Sequence, residues 1–395
     1  TTEIYTLSLH DALPISDMAR PRWDGWGTMK ILMLSDVYFP RVNGVSTSIQ
    51  TFRRELRRLG HEVWVVAPDY GQPTADEDGI SRVLSRPVLF DPEDRMMRPR
   101  PLARRLTELR ARRFDLVHVQ TPFVAHYAGI RLARRLGVSC VETYHTFFEE
   151  YLFHYLPILP KNAWRVVARV VTRRQCNRLH GLVVPSQAMR EVLVRYGVWT
   201  PMRVIPTGMP ADAFEEGDGA AFRVRHGIAA GQPTLVFVGR VAFEKNIEFL
   251  LRVVRELKRT THPDLVLIVA GEGPAETSLR RLGAELGLTD YLRFVGYLGR
   301  GIELSSCYQA GDVFVFASRT ETQGLVLLEA MSLGVPVVST AVMGTCDILA
   351  AEQGALIARE DVADFAAQVR RLLDDAPLRR RLGEEGRLYA RQWAA

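Results

Sequence analysis

The chain has 395 residues, 47% of them hydrophobic and 24% charged, with a formal net charge of +6. This balance excludes a disordered or fibrous chain, and no apolar run approaches the ~18 residues of a membrane-spanning helix. The length exceeds one ordinary core, so two domains are expected.

Residues 1–28, TTEIYTLSLHDALPISDMARPRWDGWGT, lack the cationic start and apolar core of a signal peptide. The run TLSLHDALPIS reads as translated adapter sequence, which puts the expected native start at Met29. KILMLSD (30–36) is a short apolar strand, and GVSTSIQTFRRELRRLGHE carries Ile49, Phe52 and Leu56 at helical spacing before a stop at Gly60. EVWVVAP (62–68) is the next strand, and strands recur at FDLVHVQ, GVSCVETYH and GLVVPS. Near Val204 the pattern restarts after MRVIPTGMPADAF, whose Pro206, Gly208 and Pro210 suit an inter-domain linker. TLVFVGR, DLVLIVAGEGP, YLRFVGYLG, DVFVFAS and VPVVST follow, with helices between them. Apolar strands alternating with helices predict parallel sheets covered on both faces. The expectation is two doubly wound, Rossmann-like α/β domains, 29–205 and 206–395, facing across a cleft. Ligands in such sheets bind at the carboxyl ends of the strands.

The charge is unevenly spread. Arg95 to Arg113 holds eight arginines and one acid, and Lys161 to Arg178 holds six basic residues and no acid. Such runs point to an anionic partner: nucleic acid, a phospholipid surface or an acidic substrate. A nucleic-acid binder would interleave aromatic residues with its cations, and 95–113 contains none, so no nucleic-acid partner is expected. Cys140, Cys176, Cys307 and Cys346 form no CxxC pair, which argues against zinc and for a reducing compartment.

Four places could carry chemistry. In FVGRVAFEKN, Gly239 and Arg240 end a strand and Lys245 enters a helix, an arrangement suited to a diphosphate. Taken alone, surface charges flanking a turn are the commoner reading, since arginine and lysine are frequent at such ends. SRTETQGLVLLEAMSLG places Glu321 before a helix, Gly324 at its start and Glu329 within it. Gly324 leaves the first helical amides open to phosphate, and a carboxylate accepts two hydroxyl groups of a ribose or sugar. Either glutamate alone reads as an ordinary solvated acid. VNGVSTS puts Asn43 and Gly44 between strand and helix, a third place for backbone amides to meet phosphate. It is not GxGxxG, and no acid is placed for a nicotinamide ribose. ETYHTFFEEYLFHYLP brings His145, Glu149, Glu150 and His154 close in sequence, but the run resembles no metal motif, and His145 reads as a donor or a general acid/base facing the cleft.

Taken in order, SDVYFPRVNGVSTSIQ, the GR…EK of 239–245 and the E-x7-E of 321–329 resemble the family 4 glycosyltransferases, retaining enzymes of the GT-B architecture, from Met29 to the end. The resemblance implies that Glu329 binds the ribose hydroxyls of a nucleotide-sugar and that Glu321 faces the donor sugar. It implies that Arg240 and Lys245 hold the diphosphate, assisted by the amides near Gly324 and Leu325 and by Gly44 from across the cleft. His145 would lie near the transferred sugar, and Val295 to Tyr297 where the base packs. Front-face attack, with the leaving phosphate taking the acceptor proton, needs no metal and no cofactor. Family members continue into a helix crossing back onto the first domain, so ARQWAA at 390–395 reads as a truncated end.

VGRVAFEKN and TYHTFFEEYLFHYLP look most like the subset that glycosylates diacylglycerol or similar lipids. Arg165, Arg169 and Arg173 form an i, i+4, i+8 stripe beside Trp164, Val167, Ala168 and Val171, as in a helix lying on anionic membrane. Arg104 and Arg105, beside Leu102, Leu106 and Leu109, make a second candidate. The expected activity is transfer of glucose from UDP-glucose to a lipid acceptor by a protein on the inner face of the cell membrane. The alternative is a soluble relative using GDP-mannose or another donor with a saccharide or small-molecule acceptor.

Overall fold

A computed structural model describes residues 27–395 apart from 42, 72–77, 89–90, 146, 148–160 and 350–351. Its frame is two all-parallel sheets. The first is built from β1 (Lys30–Leu34), β2 (Glu62–Pro68), β3 (Ile80–Val83), β6 (Leu116–Val119), β7 (Ser139–Thr143), β8 (Gly181–Val184) and β9 (Met202–Val204), in the order β3-β2-β1-β6-β7-β8-β9. The second is β12-β11-β10-β13-β14-β15, from β10 (Thr234–Val238), β11 (Val266–Ala270), β12 (Leu292–Gly296), β13 (Val313–Phe316), β14 (Val337–Ser339) and β15 (Ala355–Ile357). In both, the strand order reverses once, between β1 and β6 and between β10 and β13. Loops after those four strands therefore open onto a crevice where doubly wound sheets bind ligands.

Every strand read from the sequence is a strand, because a parallel sheet covered on both faces needs near-continuous apolar runs. Val236, Phe237, Leu267, Ile268, Phe314 and Val315 are all at most 1% exposed, each contributing roughly 1.5–3 kcal/mol by burial. Residues 80–97 differ from the simple alternation: after β3, β4 (Ser85–Val88) and β5 (Asp91–Met97) form a separate antiparallel pair.

Helix α1 (Gly44–Arg58) follows β1, with the Asn43 side chain accepting from the Ser46 amide at 2.9 Å. That cap satisfies one otherwise unpaired amide of the first turn, and Arg57 and Arg58 complement the dipole at the other end. Helices α2 (Pro99–Leu109), α3 (Val124–Leu136), α4 (Lys161–Cys176) and α5 (Gln187–Arg195) complete the first unit. Around the second sheet lie α6 (Gly219–Arg225), α7 (Ile247–Thr260), α8 (Glu276–Glu285), α9 (Ile302–Gln309), α10 (Leu325–Ser332), α11 (Thr345–Leu349), α12 (Val362–Asp374) and α13 (Ala376–Arg391).

The segment between β9 and α6 is held from three sides. Ser48 Oγ of α1 lies 2.7 Å from Thr207 Oγ1, and the Gln323 side chain makes two bonds to the Thr207 backbone, at 2.9 and 2.8 Å. The Met209 amide donates to Trp393 O at 2.6 Å, and the Ala395 amide donates back to Met209 O at 3.0 Å. A second inter-unit contact is the Gln187 amide, at the start of α5, donating to Asp347 of α11 at 2.5 Å.

Candidate active site

The loop after β10 turns at Gly239 and carries half-buried Arg240, then closes in a short 3-10 turn, Phe243–Lys245. It lies flush against the loop after β11. A Cβ on Gly271 would sit 2.0 Å from Gly239 O, and one on Gly273 2.4 Å from Val241 O, so only glycine allows this approach. The Val241 amide donates to Glu272 O at 2.9 Å, fixing Arg240 between two anchored neighbours. Lys245 Nζ hydrogen-bonds to Glu321 Oε1, which brings the sequence-predicted cation and acid together.

Glu321 stands in the loop after β13, whose backbone is pinned by the Gly344 amide donating to Glu321 O at 2.8 Å. One residue on, Thr322 Oγ1 donates to the His145 carbonyl at 3.0 Å, so the loops after β13 and β7 meet across the two units. Gly324 follows at a φ of 98°, in the left-handed region, and α10 begins at Leu325 with its first amides unpaired within the helix.

Glu329 lies on the second turn of α10 and is 7% exposed. Tyr308 Oη donates to its Oε2 at 2.7 Å, leaving Oε1 3.7 Å from Arg300 Nη2. With Arg300, Gly301 and Ser305 these residues line a small cavity beside α9. Val295 is half-buried, Tyr297 is half-exposed, and burial pushes the Tyr297 phenol up. On the facing unit Gly44 is exposed, with open space where a Cβ would stand.

His145 Nε2 lies 3.0 Å from Gln120 Oε1, and because a carbonyl oxygen only accepts, Nε2 carries the proton. Burial, with help from nearby His118, pulls the imidazole down to about 3, so it is neutral at physiological pH. In this tautomer the one N–H of His145 is given to Gln120, and Nδ1 is left as an acceptor. Glu149, Glu150 and His154 lie outside the described residues, and among those described no cluster suits a metal.

Asp36, just after β1, is a buried acid that sequence reading passed over. Its Oδ2 accepts from Thr121 Oγ1 at 2.8 Å and from the Ala125 amide at 2.9 Å, tying β1 to the start of α3. Oδ1 is buried without a partner, and burial raises the acid from 3.8 to about 6 against the lowering effect of those bonds. A raised acid favours the protonated native state. Its stabilisation is full below pH 3.8 and lost as pH rises through about 6, amounting to about 3 kcal/mol. Urea unfolding should therefore show wild type losing about that much relative to Asp36→Asn between pH 4 and pH 7. A pH-independent difference between the two proteins would contradict it.

Two family profiles match the chain: "Glycosyltransferase Family 4" over residues 42–213 and "Glycosyl transferases group 1" over residues 219–389. The alpha-monoglucosyldiacylglycerol synthase of Streptococcus pneumoniae is 33% identical over 79% of this chain and 71% of that protein. The chain belongs to the family 4 glycosyltransferases. This glycosyltransferase is also 31% identical to the GDP-mannose-dependent alpha-mannosyltransferase of Mycolicibacterium smegmatis, over 92% of its length and 94% of the relative's. Among solved structures, Anabaena HepE in complex with UDP-glucose superposes with a TM-score of 0.74 at 16% identity, covering 93% and 96% of the two chains. The two facing Rossmann-like sheets are those of a GT-B enzyme, and the enzyme is a hexosyltransferase.

Of the glycosyltransferase's two basic helices, the first departs from the amphipathic expectation and the second keeps most of it. In α2, Leu102, Leu106 and Leu109 face the core, so no apolar side is left over, and exposed Arg104 and Arg105 both pair with Glu108. In α4, Ala168 is buried and Trp164 and Arg165 are half-buried. Its outward face shows Val166, Val167 and Val171, exposed by 60, 40 and 44%, among exposed Arg169, Arg173 and Arg174. Trp199, 78% exposed, stands beside this helix with its amide donating to Asn177 Oδ1 at 2.9 Å. Of the stripe read from the sequence, Val167, Arg169, Val171 and Arg173 are exposed, Trp164 and Arg165 are half-buried and Ala168 alone is buried. No described helix is long and apolar enough to cross a membrane.

Proposed function

We propose that this enzyme transfers glucose from UDP-glucose to a diacylglycerol-type lipid at an anionic membrane surface, on the inner face of the cell membrane. The observation that carries the lipid acceptor is the outward face of α4, where exposed valines stand among exposed arginines beside Trp199. Apolar side chains enter the headgroup boundary, each nearby cation contributes ~1 kcal/mol on anionic lipid, and tryptophan favours that interface. The likeness to the glucosyldiacylglycerol synthase supports the same acceptor.

In this reading Arg240 and Lys245 hold the diphosphate with the α10 amides at Gly324 and Leu325 and the α1 end at Gly44. Val295 and Tyr297 flank the base, Glu329 takes the ribose hydroxyls, and Glu321 and His145 face the sugar. The sugar–phosphate bond breaks as the acceptor hydroxyl attacks from the same face, and the acceptor proton passes to the leaving phosphate oxygen. Anomeric configuration is retained. Charge accumulates on the diphosphate, where the two cations are already in place.

Incubating the enzyme with UDP- and GDP-sugars, with and without diacylglycerol liposomes, tests both parts. Nucleotide release should require UDP-glucose and liposomes together, and should rise with anionic lipid at low salt. Release indifferent to liposomes would remove the lipid acceptor. Release from GDP-mannose alone would favour the second reading, which the end-to-end likeness to the mannosyltransferase supports.

A further inference from the structure

Arg300 belongs to no motif read from the sequence, yet it joins the two units at the proposed donor site. It sits between β12 and α9, its side chain 24% exposed, and its Nη2 donates to Thr47 Oγ1 at 2.7 Å across 253 residues of sequence. The same nitrogen lies 3.7 Å from Glu329 Oε1. Thr47 is 1% exposed in the first turn of α1, and having accepted from Arg300 its hydroxyl donates to Asn43 O at 2.9 Å. Asn43 is the cap of α1, directly before Gly44. One line of polar contacts thus runs from Tyr308 through Glu329, Arg300 and Thr47 to the α1 cap.

We infer that Arg300 is a positioning residue for the donor, holding Glu329 Oε1 in place while fixing the α1 terminus across the cleft, so that nucleotide recognition and inter-unit placement are set by one side chain. This rests on the proposed donor site at Glu329. Nη2 carries two N–H groups fixed in the guanidinium plane, so the one nitrogen can face both oxygens in a set direction. An ammonium offers the charge without the plane.

UDP is the probe, measured by calorimetry on the intact enzyme, with melting followed in parallel. Arg300→Ala should weaken UDP binding on the order of tenfold and raise the donor KM more than it lowers kcat. Arg300→Lys should recover part of that loss. Thr47→Val should weaken UDP about fivefold in the wild-type background and have little further effect beside Arg300→Ala, since the two share one contact. Effects that multiply independently, or UDP binding unmoved by Arg300→Ala while Glu329→Gln weakens it, would overturn the inference. UDP binding unmoved by Glu329→Gln would instead remove the donor-site reading, and the inference with it.

Discussion

Replacing Lys245 by alanine should lower kcat by about 10²–10³-fold with a properly folded enzyme, the scale of losing one preorganised group from a developing charge. Lys245 and Glu321 touch, their side chains 20 and 17% exposed, so the cation is partly shielded from water and held at one spot. A charge that need not reorganise acts when the sugar–phosphate bond breaks and the diphosphate gains its full charge. Glu321→Ala should also collapse turnover, through the sugar end of the same contact. Because the two residues act as a unit, the double variant should be little worse than the poorer single one. Steady-state kinetics at saturating donor, with melting curves as the folding control, decide this. A Lys245→Ala enzyme with kcat within a factor of about three of wild type would refute the assignment of Lys245 to the leaving group.

The architecture was legible because parallel strands covered on both faces must be apolar throughout. VLIVA of β11 and VFVF of β13 can hardly be anything else. The β4–β5 pair was not, since SRPV and DPEDRMM break the apolar run with proline and charge. Within the candidate site, Arg240, Lys245 and Glu321 could be singled out because they lie in the loops that follow β10 and β13, and Glu329 because it stands on the helix that the Glu321 loop leads into. Arg300 and Thr47 could not, as their meaning arises only when α1 and the β12–α9 loop are folded together. The close approach of the β10 and β11 loops left a weaker trace: Gly271 and Gly273, at the carboxyl end of β11, signal a backbone that must approach another closely.

Glu329→Gln should act mainly on donor binding. The carboxylate is buried, and Tyr308 already occupies Oε2, so a ribose hydroxyl would find Oε1, which Arg300 approaches only to 3.7 Å. That distance is too long for a hydrogen bond and leaves the oxygen's lone pairs open. A hydrogen bond to a charged acceptor is worth about 1.5–3 kcal/mol, so the loss in UDP affinity should be about 10–150-fold. Glutamine is the informative replacement, since alanine would also strand the buried Tyr308 hydroxyl. At saturating donor kcat should fall far less than in Lys245→Ala, because ribose contacts are alike in ground and transition states. A chemical control isolates the contact: for 2′-deoxy-UDP, wild type and Glu329→Gln should differ by much less than for UDP. If the substitution costs the deoxy nucleotide as much as UDP, Glu329 acts on the site through its fold and not through the ribose.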